Sequence, residues 1–235
     1  MFKGHDCIFV NGDSYSVPLG PNTKVYSDWL SEKLDIPVVN VAAVGSSNQR
    51  ILRSSIEYIE QLRSKYQNPL VLIGWTFVHR LEVWYPGKRV ELTSRILDTA
   101  ITPDSKLISL DWLLQSKDAT PEHKALVDDT QLPKRLTDFY TDLYLFGRLL
   151  ESMNVDYRFF SAARNTEFPM AYYPHIQNTE QGKWVINNPK IFKLHEFCVQ
   201  HWAETNDPDC HPVTGHLSPA GHLKFTDFLL DNLLD

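Results

Sequence analysis

Cys7-Ile8-Phe9-Val10-Asn11-Gly12-Asp13-Ser14-Tyr15-Ser16 is a short apolar run that stops at Gly-Asp-Ser. A run of this length closed by turn formers reads as a buried strand. In an α/β sheet the residue just past the carboxyl end of such a strand faces the crevice where these folds bind ligands. That puts the hydroxyl of Ser14 where a nucleophile would be useful. The plainer reading is a turn, since Gly, Asp and Ser all favour one.

Two further strands follow. Pro37 to Val41 is the second, ending in Asn40-Val41-Ala42-Ala43-Val44-Gly45-Ser46-Ser47-Asn48, and Pro69 to Trp75 is the third. The third is apolar throughout, as a central parallel strand buried on both faces must be. Between them lie helical patterns, one over Tyr26 to Leu34 and one carried by Ile51, Leu52, Ser55, Ile56, Ile59 and Leu62, with Ser46 or Ser47 as its cap. An amphipathic helix from Leu136 to Met153, a fourth strand from Val155 to Ala162 and a helix near Ile191 to Thr205 complete the alternation. Ser218-Pro219 opens a last helix, with Pro at its permitted first position. This alternation predicts a three-layer α/β/α domain over residues 1–235, doubly wound like a flavodoxin, with a mostly parallel sheet of about five strands. Right-handed crossovers bring Ser14, Gly45 and Thr76 to one edge of that sheet. Two loop-rich insertions are expected, about 76–133 and 164–190, the first with short helices near Ile108 to Leu114 and Pro121 to Val127; such lengths suit a lid or a wall of a site.

The other end of the chain carries His211-Pro212-Val213-Thr214-Gly215-His216-Leu217-Ser218-Pro219-Ala220-Gly221-His222 just before that last helix. With Gly-Asp-Ser after the first strand, Gly45 after the second and the strand at Leu70 to Trp75, this block resembles the SGNH (GDSL) hydrolases, in four short segments between Cys7 and about Leu230. The resemblance implies Ser14 as nucleophile and a His before the last helix as base. His216, followed five residues later by Gly221, has the family's spacing, and His211 is the alternative. The family's Asp three residues before the base falls on Val213, leaving Asp209, with Asp207 behind it, as the acid to orient the imidazole; a Ser-His dyad with a backbone carbonyl in that role is the other arrangement. Oxyanion donors implied by the resemblance are the amides of Ser14 and Gly45. The family's third donor, an Asn, falls on Thr76, with Asn48 as a substitute. Each such donor is worth roughly 10²- to 10³-fold in rate. No Gly-x-Ser-x-Gly occurs, which argues against an α/β-hydrolase elbow.

Composition narrows the partners. A net charge of −6 in 235 residues, without a Lys/Arg run, leaves no electrostatic footprint for nucleic acid. Three cysteines, Cys7, Cys198 and Cys210, make no complete disulfide set. The first strand begins too soon for a signal peptide and no apolar run reaches membrane-spanning length, so a cytoplasmic protein without membrane association is expected. His211, His216, His222, Cys210 and Asp209 are ligand types, but their spacing fits no common zinc pattern, and neither metal nor cofactor is expected. Trp75, Trp84, Tyr172, Tyr173 and Trp184 fall in or beside the loops at the site edge, where aromatic platforms would suit sugars or aryl groups, although large aromatics more often pack into cores. The chain therefore reads as a serine esterase acting through an acyl-enzyme on a small-molecule or carbohydrate ester, an O-acetyl group among them. A catalytically weak glycan- or peptide-binding member of the fold and an O-acyltransferase are the alternatives.

Overall fold

The computed structural model describes residues 4–20, 23–78, 80–84, 107–109, 121, 132–163, 173–194, 196–212 and 214–234. Four parallel strands, β1 (Cys7–Asn11), β2 (Val38–Asn40), β3 (Pro69–Trp75) and, later in the chain, β6 (Asp156–Ser161), form one sheet in the order β2-β1-β3-β6. Phe9 pairs with Val39 on one side and Val71 on the other, and Ile73 pairs with Phe159.

Strand side chains alternate between faces, and here both faces are apolar. Cys7, Phe9, Val71, Ile73, Trp75, Tyr157 and Phe159 point into one core. There they meet α2 (Asn48–Lys65) and α3 (Leu132–Ser152) through residues such as Ile51, Ile59, Leu143 and Phe146. Ile8, Val10, Leu70, Leu72 and Phe160 point the other way, against α1 (Tyr26–Leu34), α6 (Val199–Asn206) and α7 (Pro219–Asn232). The result is a three-layer α/β/α architecture with a doubly wound sheet. Ser47 caps α2 through the amide of Arg50, and Ser218 caps α7 through that of Gly221, with Pro219 in the first turn.

Four elements depart from the sequence reading. The sheet has four strands rather than about five among the described residues; where a fifth would lie, one parallel bridge joins Phe159 to Ile191, Phe159 N–H donating to Lys190 and Phe192 N–H to Phe159. The helix expected from Ile191 begins only at Val199, because that pairing holds residues 191 and 192 extended. Inside the expected loop of 164–190 are two short helices, α4 (Tyr173–Gln177) and α5 (Glu180–Asn187), the second capped by the Thr179 hydroxyl. The sequence pattern predicts a short helix near Ile108; instead β5 (Leu107–Ser109) pairs antiparallel with β4 (Glu82–Trp84), and the backbone at Ile108 is extended. The rest of that stretch, and the helix expected over 121–127 apart from Pro121, lie outside the described residues.

From β1 the chain moves outward to β2 along one face, then returns across the other face to β3. The segments leaving β1 and β3 therefore diverge, and this switch point opens a crevice at the carboxyl ends of the two strands.

Candidate active site

Ser14 sits in that crevice, opening a 3-10 turn, Ser14–Ser16, three residues past β1. Its position is over-determined from below. Asn11, at the end of β1 and fully buried, donates from Nδ2 to the Ile51 carbonyl at 3.0 Å and to the Ser54 and Ser55 hydroxyls at 2.9 Å, while its Oδ1 accepts from Gly12 N–H. Asp13 is also fully buried. Its Oδ1 caps the turn by accepting from the Tyr15 amide at 3.1 Å, and its Oδ2 accepts from the Thr76 hydroxyl at 2.5 Å and from Arg80 Nη1 at 2.9 Å. A buried carboxylate must be paired or fully hydrogen-bonded to persist. The arginine, lying over the Phe77 ring, supplies the charge. On the other side of the turn, Asn40 Nδ2 donates to the Ser16 carbonyl and the Ser27 hydroxyl, and Ser16 Oγ bonds the Tyr26 hydroxyl at 2.8 Å.

The histidine comes from the segment between α6 and α7. His216 Nε2 lies 2.8 Å from Ser14 Oγ, within the reach a base needs to take a nucleophile's proton. Its Nδ1 lies 2.5 Å from Thr214 Oγ1. The Tyr15 ring stacks on the imidazole with centroids 4.5 Å apart and planes 16° from parallel, and the Tyr15 hydroxyl donates to the Thr214 carbonyl at 2.6 Å. Burial holds the His216 pKa below the ordinary imidazole value; Asp13 opposes the shift, while His211 and Arg80 add to it. At neutral pH the ring is neutral and able to accept a proton.

The segment is anchored by Asp207, which is buried. Its Oδ2 accepts from the Ser218 amide at 2.7 Å and its Oδ1 from the Ser218 hydroxyl at 2.8 Å. Gly221 is required beside it, since a Cβ there would stand 1.9 Å from Asp207 Oδ2. The sequence spacing from His216 to Gly221 thus reports how closely α7 approaches this carboxylate.

The residues expected at the site divide into two groups. Ser14 and His216 are brought together, and Gly45 lies past β2 with φ of +71°, a conformation that favours glycine. Neither the Ser14 nor the Gly45 amide donates to an acceptor among the described residues, so both remain able to serve an oxyanion. Asp209, by contrast, is exposed and is not brought to either histidine ring; the Nδ1 face of His216 is occupied by Thr214. His211 lies on the outside of the segment, its Nδ1 accepting from the Thr214 amide at 3.2 Å.

Asn48 is committed at both ends of its amide, Oδ1 accepting from Thr76 N–H at 2.9 Å and Nδ2 donating to the Thr76 carbonyl at 3.2 Å. It ties α2 to the end of β3. The Thr76 hydroxyl, in turn, donates to Asp13. Trp75 is fully buried among Phe139, Phe146 and Phe159, and Trp184 packs edge-on against Tyr144, so neither is a platform at the site. Tyr172 and the side chains of Trp84 and Tyr173 lie outside the described residues. Sequence reasoning missed Asp13, Arg80, Tyr15 and Thr214. Only Asp13 and Tyr15, flanking Ser14, carried a local signal.

Among the described residues no three His, Cys, Asp or Glu side chains come together as a metal site, and no helix is long and apolar enough to cross a membrane. No family model and no curated sequence matches the chain. Among solved structures it is similar to an acetyl xylan esterase, at 12% identity and a TM-score of 0.49, over 96% of this chain and 98% of that one.

Proposed function

We propose that the protein is an SGNH-type serine esterase hydrolysing a short acyl ester, with carbohydrate O-acetyl groups as the first substrate class to try. The observation that carries this reading is the 2.8 Å contact between Ser14 Oγ and the Nε2 of a histidine held neutral by burial. Ser14 Oγ attacks the ester carbonyl as His216 Nε2 takes its proton. The tetrahedral oxyanion is met by the amides of Ser14 and Gly45. Collapse breaks the bond to the alcohol, which leaves with the proton from His216, and an acyl-Ser14 remains. Water then adds, again losing a proton to His216, and its collapse frees the carboxylic acid and restores the serine.

The test is hydrolysis of p-nitrophenyl acetate and of acetylated xylose by purified protein, with mass spectrometry for an acetyl adduct on Ser14. Wild type should turn over ester and Ser14→Ala should not, while keeping its thermal unfolding midpoint. Equal turnover by the alanine variant overturns the serine mechanism. Acyl transfer to an added sugar in preference to water would make the enzyme a transferase using the same intermediate.

A further inference from the structure

The contact between Ser14 and His216 leaves one question about the base, namely what holds its second nitrogen. We propose that Thr214 is the positioning residue of His216, its hydroxyl accepting a hydrogen bond from Nδ1–H in the place where a carboxylate stands in a charged triad. This rests on the esterase reading for its catalytic consequence, though not for its geometry.

The direction of the hydrogen bonds follows from counting protons. Ser14 is 6% exposed, and its hydroxyl hydrogen has one acceptor among the described residues, His216 Nε2. For Nε2 to accept, the neutral ring must carry its proton on Nδ1, and that proton points at Thr214 Oγ1, 2.5 Å away. Thr214 is exposed, so its own hydroxyl hydrogen is free to turn to solvent. In the opposite tautomer Nε2–H would point at Ser14, and the serine hydrogen would lose its acceptor in a nearly buried site, the costly arrangement. The threonine is itself fixed at both backbone ends, its amide by His211 Nδ1 and its carbonyl by the Tyr15 hydroxyl. Tyr15 also stacks on the imidazole, so one residue beside the nucleophile positions both the base and its partner.

A hydroxyl selects the tautomer but brings no charge to stabilise the imidazolium. The ionisable groups around the ring are Asp13, which favours the charged form, Arg80 and His211, which oppose it, the Tyr15 phenol, and His222, whose own charging His216 disfavours. Asp13 is already paired with Arg80. A carboxylate placed at position 214 should therefore shift the base where a hydroxyl cannot.

Three variants and two readouts decide. In nitrogen-15 spectra of the wild type, with His216 assigned by loss of its signals in His216→Gln, Nδ1 should be the protonated nitrogen. Thr214→Val should mix the tautomers and lower kcat roughly tenfold or more with KM unchanged. Thr214→Ser should restore both, and Thr214→Asp should move the acid limb of the kcat/KM profile to higher pH. A wild-type Nε2–H tautomer, or a Thr214→Val enzyme with unchanged kcat and pH profile, overturns the assignment. If Thr214→Val does not fold, the wild-type spectrum and the Thr214→Asp profile still decide it. Should the wild type hydrolyse no ester, the esterase reading falls by itself, and the nitrogen spectrum still reports whether Thr214 holds the ring.

Discussion

The two halves of the proposed catalytic pair are built in opposite ways. Ser14 stands on a turn whose supports, Asn11, Asp13 and Ser16, are all fully buried and hydrogen-bonded to strands and helices on both sides. His216 stands on an irregular segment whose neighbours His211, Pro212 and Thr214 are exposed, held by Asp207 at its base and Tyr15 at its tip. Ser14 is thus positioned by the core and inherits its rigidity. His216 is held by a few bonds to a surface segment, and its alignment is the part a single substitution can loosen without unfolding the protein.

The largest effect should come from His216→Ala, expected to cost turnover on the order of 10⁴-fold, as Ser14→Ala does, because the pair acts as one unit. His211→Ala should cost far less, and the reverse ranking in steady-state kinetics would place the base on the wrong side of the segment. Asp207→Ala removes a buried carboxylate that accepts three hydrogen bonds, from the Asp209 and Ser218 amides and the Ser218 hydroxyl, and orphans the Ser218 amide. About 2 to 4 kcal/mol of stability should be lost in urea unfolding, with activity falling in step if the segment detaches.

His222, buried with Nδ1 unpartnered among the described residues, has its pKa lowered from 6.5 to about 4 by burial, with Asp207 opposing and His216 adding. The unfolded state binds this proton more readily, so the contribution is fully favourable above about pH 6.5 and is lost as pH falls toward 4. The loss should reach about 3 kcal/mol at most, and His222→Gln should flatten that part of the stability profile. Tyr15→Phe removes one hydrogen bond and keeps the ring, so a drop in kcat of about tenfold with unchanged stability is expected, whereas Asn11→Ala, on the rigid side, should lower stability first. Smallest of all should be Asp209→Asn, with turnover within about twofold of wild type. A strong loss there would mean that the segment rearranges to bring this carboxylate to the imidazole.

The same contrast explains what was legible in the sequence. β1 and β3 announce themselves because they are buried on two faces, β6 because Tyr157, Phe159 and Phe160 give it a buried apolar run, and α1 is bounded as expected because Tyr26, Leu30 and Leu34 share one face. The placement of Ser14 and Gly45 follows from strand ends, and that of His216 from its distance to a capped helix. Elements held by one bridge or one cap were not legible: residues 191 and 192 pair through two bonds only, and α4 and α5 are too short to show a period. The partners of the base were hidden for another reason. Thr214 stands two residues from His216, but a lone Thr in a loop signals nothing by type, and Tyr15 reaches the segment only across 199 residues of chain, so no local pattern encodes either contact. Asn48 and Thr76 both carry bonds that sequence does not show, Asn48 to the Thr76 backbone and the Thr76 hydroxyl to Asp13.

The bond between Ser14 and His216 spans 202 residues. On a ribosome adding about 5 to 20 residues per second, the serine would wait roughly 10 to 40 seconds for its base to be made. Through that interval the first strands can pair and the turn at Ser14 can form, yet the hydroxyl has no proton acceptor and remains an ordinary alcohol. On the esterase reading proposed above, the pair is complete only once α7 and the histidine segment before it have docked over the crevice. Loss of material near the carboxyl end, by nicking or by premature termination, would leave a nascent domain able to fold in part and unable to attack an ester.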